Sequence, residues 1–369
     1  MNLNLTGYLS PDFIFPMSAS ILTQKTTQSR LSSVDWDNLP FGQIKSDHML
    51  VSDFDGKEWS APTIMPYGPM SMDPAMSALH YGQSIFEGLK AYRGADERIR
   101  IFRPEANAAR LNASAFRMCM AQFPEELFLE GLYALISLDE KWVSDRPGYS
   151  LYIRPFMFAT EAYLGIKPSE TFRFAIITSP VGAYYQGPIK VKVETEYTRA
   201  AQGGTGAAKA AGNYAASLYP AKLGQEKGYR QLIWTDAAEH RYIEESGTMN
   251  LFVVMDGVLV TPPLDSGTIL PGITRDSILT IARSWGMAIE ERKIEVTELR
   301  DAIQDQRVTE LFGAGTAATI AQIELIHILG EDFPLPPADD RPFSNKIAVY
   351  LDDLKFGRVS DPFGWVKTL

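Results

Sequence analysis

A lysine surrounded by small residues is the strongest candidate for chemistry in this sequence. Lys209 lies in the segment GGTGAAKAAGNYAASL (residues 203–218), and no acidic or basic residue lies within six positions on either side. Burial among such neighbours would disfavour the ammonium form and lower the pKa of the amine. A lysine of that kind is a nucleophile that can form a Schiff base. The alternative, from this segment alone, is a Gly/Ala loop with a solvated lysine.

Two phosphate-binding motifs are excluded around Lys209. The nucleotide P-loop needs a glycine before the lysine and Ser or Thr after it, whereas Ala208 and Ala210 flank this lysine. The dinucleotide fingerprint would place a small residue where the lysine stands. A second glycine pattern, from Gly313 to Ala318, matches G-x-G-x-x-A and leaves a nicotinamide oxidoreductase as a rival. The run TIAQIELIHI that follows is β-branched, which disfavours the helix that such a site needs.

The lysine segment resembles the active-site segment of the branched-chain amino-acid aminotransferases. These are fold-type-IV enzymes that use pyridoxal 5′-phosphate (PLP). The resemblance implies a transaminase that moves an amino group between L-leucine, L-isoleucine or L-valine and 2-oxoglutarate in a ping-pong reaction, as a homodimer. Seven further motifs occur in the family's order: HYGQSIFEGLKAYR (80–93), ARLNASA (109–115), YIRPFMFAT (152–160), VGAYY (181–185), IEESGTMNLF (243–252), LPGITRDS (270–277) and FGAGTAA (312–318).

The resemblance also implies which residues hold PLP. The cofactor needs a lysine for the Schiff base, an acid at its ring nitrogen, a donor at its phenolic oxygen and an anion site for its phosphate. By position, Lys209, Glu245 and Tyr214 meet the first three needs, and the freed lysine amine would move the proton on the substrate Cα. The implied cofactor-binding residues are Arg110, Arg199, Lys209, Tyr214, Glu245, Thr248, Leu270, Gly272, Ile273, Thr274, Gly315 and Thr316.

The implied phosphate site combines two arginines with backbone donors. Arg110 would make a charge-assisted contact, and Arg199 would assist it. Ile273 and Thr274 would offer N–H groups at the start of a helix, where the helix dipole favours an anion. Taken alone, an arginine such as Arg110 is more often an ordinary surface residue, so this assignment depends on the resemblance.

The implied substrate pocket must admit an apolar side chain and, in the other half-reaction, glutamate. Arg154 follows Tyr152 by two positions, so both lie on one face of a strand. Arg154 would pair with the distal carboxylate of glutamate, and aromatic residues would line the apolar part, although aromatic residues also pack in cores without a ligand. The implied substrate residues are Tyr81, Phe86, Tyr152, Arg154, Tyr184, Thr248, Thr316 and Ala317.

Other functions on the same fold stay open. D-amino-acid aminotransferase and aminodeoxychorismate lyase share the fold-type-IV architecture, and fold alone does not separate them. The YIRP and GAY segments favour the branched-chain, L-specific type. A non-catalytic binding protein of this fold is disfavoured because Lys209, Glu245 and Tyr214 occur together.

Composition and charge argue against several classes. The 369 residues carry a net charge of −10, which argues against a nucleic-acid-binding surface. The four histidines are scattered without ligand spacing, so no metal site is expected. The single cysteine, Cys119, is expected to be a small core residue, and Ala318 and Ala321 stand where some eukaryotic relatives carry a redox CxxC pair. A single cysteine, no secretory signal and no bilayer-length apolar run predict a cytoplasmic protein.

The order of predicted elements indicates an α+β protein rather than a regular βαβ array. A helix is predicted from Pro104, a hairpin around Asp256–Gly257 and a glycine turn at Gly313–Gly315. The resemblance implies an α/β N-terminal domain and a larger C-terminal domain built on a pseudo-barrel, with the cofactor between them. We divide the chain into an N-terminal arm (1–45), a smaller α/β domain (46–181), an interdomain loop (182–188) and a larger C-terminal domain with the lysine (189–369).

Overall fold

The computed structural model describes residues 21–182, 184–185 and 187–369. The described residues form seven α-helices and two sheets of nine strands each. The strands are β1 (Leu22–Thr23), β2 (His48–Phe54), β3 (Thr63–Pro66), β4 (Ser84–Phe86), β5 (Leu89–Arg93), β6 (Ile99–Phe102), β7 (Ser150–Ala159), β8 (Phe172–Val181), β9 (Ile189–Val193), β10 (Gln231–Thr235), β11 (Ile243–Ser246), β12 (Met249–Met255), β13 (Val258–Thr261), β14 (Ile289–Glu291), β15 (Val308–Gly315), β16 (Thr319–Ile328), β17 (Glu331–Pro334) and β18 (Val366–Thr368). The helices are α1 (Ser77–Tyr81), α2 (Pro104–Arg117), α3 (Glu125–Leu138), α4 (Ala211–Glu226), α5 (Ile273–Ser284), α6 (Val296–Gln304) and α7 (Pro342–Phe356).

The first sheet has the strand order β1-β3-β2-β8-β7-β5-β6-β18, and β4 also pairs with β7. Its centre is the antiparallel pair β7–β8, which runs in register from Ser150 opposite Val181 to Ala159 opposite Phe172. Apolar residues of α2 and α3 cover one face of this sheet, and the rings of Phe123 and Phe174 stack there with centroids 4.1 Å apart. This packing fixes β4 and β7, which carry much of one wall of the site described below.

The second sheet closes on itself. Its order is β11-β10-β9-β16-β15-β12-β13-β14, and β11 also pairs with β12, so six of its strands form a closed barrel. A barrel filled by side chains has no exposed strand edges around the ring. Every residue of β12 (MNLFVVM) is buried because the strand packs on both faces: Leu251 and Val253 point into the barrel, and Phe252 faces α5 and α7. The predicted α+β class with a C-terminal pseudo-barrel is confirmed.

Several local predictions hold and two fail. Helix α2 begins with proline as expected, and the hairpin between β12 and β13 turns at Asp256–Gly257, where both residues have positive φ. The predicted turn at Gly313–Gly315 is wrong, because these residues continue β15: Gly313 and Ala314 pair with β12, and Gly315 pairs with Thr319 of β16. The cysteine prediction is also wrong: Cys119 is exposed and lies just after the end of α2.

A strand, β16, follows the glycine pattern that suggested a nicotinamide site. The G-x-G-x-x-A pattern at 313–318 covers the end of β15 and the turn into the antiparallel strand β16, so no helix follows the glycines. A dinucleotide site needs the helix that follows the glycines. The nicotinamide-binding hypothesis is therefore excluded for this motif.

The proposed division of the chain stays a prediction. Strand β18, near the end of the chain, returns to pair with β6 of the first sheet, so the two sheets are not separated at a single point in the sequence. The N-terminal arm and the interdomain loop each include positions outside the described residues, namely 1–20, 183 and 186. Among the described residues, no helix combines the length and the apolar character needed to cross a membrane.

Candidate active site

A cavity of about 490 Å³ lies between the first sheet and the barrel. It is bounded by β4, β7 and the loop residue Gly88 on one side and by the starts of α4 and α5 and two barrel turns on the other. The predicted site residues that line it are Phe86, Arg110, Tyr152, Arg154, Tyr184, Lys209, Tyr214, Glu245, Thr248, Leu270, Gly272, Ile273, Thr274, Gly315, Thr316 and Ala317. The predicted residues Tyr81 and Arg199 are not among those lining it.

Lys209 is held by its backbone just before α4. Its N–H donates to the hydroxyl of Ser114 (2.9 Å), and its carbonyl accepts from the N–H of Phe86 (3.1 Å). The side-chain Nζ donates to the hydroxyl of Tyr214 (2.9 Å) and lies 4.9 Å from the ring centroid of Phe86. Burial, reinforced by the positive charge of Arg110, lowers the pKa of the Lys209 amine from 10.5 to about 8. The amine is therefore partly neutral near physiological pH.

Glu245 places a buried carboxylate in the same cavity. It lies on β11, accepts a hydrogen bond from the backbone N–H of Leu270, and contacts Nη2 of Arg199 (3.1 Å). Burial raises the pKa of Glu245, and the charge of Arg199 opposes that rise. Its neighbour Glu244 points to the other side of the strand, because successive side chains of a strand alternate, and Thr268 donates to it there.

Arg199 lies behind Glu245. Its guanidinium donates to the Glu245 carboxylate and to the backbone carbonyls of Gly206 and Thr268. All three contacts come from Nη2, and the buried Nε has no partner among the described residues. Arg199 therefore fixes Glu245 and does not line the cavity, so its expected help at the phosphate stays a prediction.

A group of backbone and side-chain donors forms the other end of the cavity. Helix α5 begins at Ile273 with Gly272 as its N-cap, so its first N–H groups have no partner within the helix. Arg110 lies beside them, and its Nη1 donates to the carbonyl of Pro271 (3.1 Å). A helix N-terminus beside an arginine is a favourable place for an anion.

Glu87 is a site residue that the sequence analysis missed. It is fully buried on the loop after β4 and makes a bidentate ion pair with Arg110, with both N···O distances 2.8 Å. The pair fixes the direction of the guanidinium. Its signal in the sequence is the acidic residue of FEGLK inside an otherwise apolar motif.

The wall supplied by the first sheet is aromatic with one cation. Nη2 of Arg154 donates to the hydroxyl of Tyr152 (2.8 Å), and its guanidinium carbon lies 4.6 Å from the ring centroid of Phe86. Among the described residues, the buried Nε of Arg154 has no hydrogen-bond partner. Phe41 adds edge-to-face contacts at 5.1 Å to the rings of Tyr152 and Tyr184, and it too was missed.

The turn Thr316–Ala318 between β15 and β16 closes the cavity beside the start of α5, where Thr316 and Thr274 also line a common smaller cavity. The buried Lys90 of β5 donates to the carbonyl of Ala317 (2.8 Å). Burial, together with the positive charge of Lys355, lowers the pKa of Lys90 from 10.5 to about 7. The backbone of the turn is thus tied to the first sheet by a second lysine that the sequence analysis did not select.

Comparison with known proteins agrees with this arrangement. The family described as amino-transferase class IV matches residues 84–326. The branched-chain-amino-acid aminotransferase of Mycolicibacterium smegmatis is 48% identical over 343 residues, which are 90% of this chain and 92% of that one.

The chain belongs to the class IV aminotransferases.

Two solved structures extend the likeness to this aminotransferase. A branched-chain aminotransferase from Thermoproteus uzoniensis with norvaline has a TM-score of 0.73 and 26% identity, covering 87% of this chain and 99% of that one. The T.th. branched-chain amino acid aminotransferase with pyridoxamine 5′-phosphate has a TM-score of 0.67 and 26% identity, covering 86% of this chain and 97% of that one. Family and fold therefore agree.

Tyr81 is the predicted substrate residue that this aminotransferase places elsewhere. It ends α1, is 44% exposed, and its hydroxyl donates to the carbonyl of Leu164. Within one chain it does not reach the cavity lining. Four further lining residues were not predicted: Gly88, Ala211, Asn250 and Ala314. Among the described residues, no group of three potential metal ligands is found.

Two glycines of this aminotransferase are explained by close approach. A Cβ atom at Gly88 would lie 2.3 Å from the hydroxyl oxygen of Tyr152. A Cβ atom at Gly272 would lie 1.9 Å from Oδ1 of Asn250, whose Nδ2 donates to the carbonyl of Leu270 (3.0 Å). Larger residues at either position would displace groups that line the cavity.

Proposed function

We propose that this aminotransferase moves the amino group between L-leucine, L-isoleucine or L-valine and 2-oxoglutarate, with PLP attached to Lys209. The observation that carries the proposal is the buried amine of Lys209, 2.9 Å from the hydroxyl of Tyr214 and lining the same cavity as Glu245. The printed names of the curated relative and of the two solved structures support the substrate class.

The residues present fit the cofactor. Its ring nitrogen needs a carboxylate that is shielded from solvent, and Glu245 is buried and fixed by Arg199. Its phosphate needs donors, and the start of α5 at Ile273 supplies them beside Arg110. When bound, PLP supplies an electrophilic carbon for the substrate amine and a ring that withdraws electrons from Cα.

Lys209 is the proposed acceptor of the proton on the substrate Cα. With a pKa of about 8, its amine accepts a proton near neutral pH without a large energetic penalty. Burial raises the pKa of Tyr214 to about 12, so its hydroxyl stays protonated and acts as a hydrogen-bond donor. The pair therefore provides one proton acceptor and one fixed donor in the cavity.

The aromatic wall admits two kinds of side chain. A branched aliphatic side chain would lie against Phe86, Tyr152 and Tyr184, while the distal carboxylate of glutamate would pair with Arg154. Arg154 lines the cavity, and its guanidinium carbon lies 4.6 Å from the ring centroid of Phe86, so this planar donor group is near enough to serve an acceptor in the cavity. The N–H groups of the turn at Thr316 and Ala317 would hold the α-carboxylate, which both substrates share.

A homodimer is part of the proposal. Large apolar side chains are exposed on α1 and on the loop after β7: Leu79 (60%), Leu164 (62%) and Ile166 (89%). Contiguous exposed apolar residues are typical of protein interfaces. A partner chain seated there would cover them, and it would bring Tyr81 near the partner's cavity. Sedimentation should give a dimer for the wild type and a monomer for Ile166→Asp.

A substrate panel over both half-reactions tests the proposed activity. We expect transamination with L-leucine, L-isoleucine and L-valine as donors and 2-oxoglutarate as acceptor, and no turnover with D-alanine. Turnover with D-alanine would instead support a D-amino-acid aminotransferase. Release of pyruvate from aminodeoxychorismate, without a 2-oxo acid acceptor, would support the lyase. The cytoplasmic location stays a prediction from the sequence.

A further inference from the structure

Two buried lysines from different elements contact one turn of the barrel. Lys90 of β5 donates to the carbonyl of Ala317 (2.8 Å), and Lys355 of α7 donates to the hydroxyl of Thr319 (2.9 Å). Lys90 is 8% exposed and Lys355 is 5% exposed. The two lysine side chains therefore hold this segment at Ala317, within the turn, and at Thr319, the residue that follows it.

Thr319 has a backbone conformation that requires support. Its φ is +61°, in the left-handed region. A β-branched residue rarely adopts this conformation, because its side chain crowds the backbone. Such residues persist where neighbouring contacts determine the conformation, and they occur often at functional sites. The hydrogen bond from Lys355 to the Thr319 side chain is one such contact.

Lys355 has few other contacts that offset its burial. The nearest carboxylate is the exposed Asp352, at 4.0 Å. The rings of Tyr92 and Phe102 lie 5.8 Å and 5.6 Å from its Nζ, and its place in the last turn of α7 favours a cation. Burying a charged amine costs free energy, so a lysine on the buried face of a helix is unusual unless its contacts serve a purpose. A local role is therefore expected.

The position of Lys355 connects it to the proposed site. A small cavity of about 10 Å³ is lined by Lys90, Lys355, Thr274 and Thr316. Thr274 and Thr316 also line the main cavity, at its anion end. Lys355 thus lies directly behind residues that the proposed function places around the phosphate and the α-carboxylate.

We propose that Lys355 is a positioning residue for substrate carboxylates: its hydrogen bond to Thr319 keeps the Thr316–Ala318 turn in the conformation that presents backbone N–H groups to the cavity. The proposal rests on the proposed function. Lys355 acts through the turn and touches neither substrate nor cofactor. Because both substrates carry an α-carboxylate, the effect extends to both half-reactions.

The test compares Lys355→Met and Lys355→Gln with the PLP-loaded wild type. Lys346→Met is the matched control, since Lys346 is an exposed lysine on the same helix. We expect Lys355→Met to raise the KM for both L-leucine and 2-oxoglutarate about tenfold with little change in kcat, because the turn binds ground state and transition state alike. Inhibition by 4-methylpentanoate, which keeps the leucine skeleton and carboxylate but lacks the amine, should weaken in parallel.

Lys355→Gln keeps a donor for Thr319 and should change these constants by less, about threefold. If Lys355→Met does not fold, Thr319→Val, which removes the acceptor of the hydrogen bond and keeps the shape of the side chain, takes its place. Unchanged KM and inhibition constants in an active Lys355→Met or Thr319→Val enzyme would overturn the proposal. So would a loss of kcat alone, or a lowered melting temperature with unchanged binding constants. A wild type that binds PLP but does not transaminate would contradict the proposed function instead, whatever the Lys355 variants do.

Discussion

The two walls of the cavity are held in different ways. On the barrel side the chemical groups already have protein partners: Lys209 contacts Tyr214, and Glu245 contacts Arg199 and the N–H of Leu270. On the side of the first sheet the wall consists of aromatic rings around Arg154, whose Nε has no partner among the described residues.

The difference between the two walls matches their proposed tasks, which are to hold one cofactor and to accept two kinds of substrate side chain. Groups that serve one permanent cofactor benefit from being fixed before any ligand arrives, since no reorganisation is then needed. A wall that must accept an aliphatic side chain in one half-reaction and a carboxylate in the other needs apolar surface and an available donor. Substitutions on the barrel wall should therefore affect the chemistry, and those on the sheet wall should affect the choice of substrate.

The largest expected effect is that of Lys209→Ala. Without the amine there is neither a covalent anchor for PLP nor an acceptor for the Cα proton, so kcat should fall by at least about a thousandfold. Steady-state kinetics measures the loss. The melting temperature should stay close to that of the wild type, and Lys222→Ala, an exposed lysine on α4, should remain fully active. Retention of more than a tenth of the activity by Lys209→Ala would break the assignment.

Glu245→Gln should have the next largest effect. The amide keeps the shape of the side chain but removes the charge that would keep the cofactor ring protonated, and we expect kcat to fall about 100-fold or more. Glu244→Gln is the matched control, because Glu244 lies on the same strand and faces Thr268 instead of the cavity. Equal losses of kcat in the two variants would mean that the effect is structural.

Arg154→Ala tests the sheet wall. Loss of the guanidinium should raise the KM for 2-oxoglutarate about 30-fold, because the distal carboxylate loses its charged partner, and should change the KM for L-leucine much less. The KM of Arg154→Lys for 2-oxoglutarate should lie between those of the wild type and Arg154→Ala, since an ammonium cannot make a bidentate contact. Parallel losses for both substrates would show that the two walls do not divide the work as proposed.

The pH dependence of cofactor capture tests the barrel wall in solution. Only the neutral amine attacks the cofactor, and burial lowers the pKa of Lys209 from 10.5 to about 8. For the cofactor-free protein, the rate constant of PLP attachment should therefore rise with pH and reach half its maximum near pH 8. Stopped-flow absorbance measures it. A half-maximum near the ordinary lysine value would indicate a solvated amine.

The smallest effect is expected for Phe41→Ala. This change removes two edge-to-face contacts, each about 0.5–1.5 kcal/mol, from Tyr152 and Tyr184. We expect a two- to fivefold rise in the KM for L-leucine, with kcat retained. An unchanged KM for both substrates would place Phe41 outside the substrate wall.

The sequence predicted the groups that lie in short motifs better than the contacts between distant segments. Lys209 and Tyr214 are five residues apart, and the structure brings them together with Glu245. Glu87 and Lys90 were missed because their partners, Arg110 and Ala317, lie 23 and 227 residues further along the chain. Single-sequence patterns do not reveal such pairs.

Long-range strand pairing explains the fold errors. The glycines at Gly313 and Gly315 are typical of a turn, yet pairing with β12 keeps this segment in a strand. Absence of a side chain at Gly313 makes room for Met249, whose Cε would lie 2.8 Å from an added Cβ. The final strand, β18, joins a sheet formed by much earlier residues, and no local pattern predicts that return.

One measurement tests the central claim most directly. The PLP-loaded protein is reduced with borohydride, digested, and mapped by mass spectrometry for the lysine that carries the cofactor. The account predicts loss of the visible absorbance and a single modified peptide containing Lys209, although Lys90 and Lys355 are also buried lysines with lowered pKa values. Modification at another lysine, with Lys209 unmodified, would contradict the account.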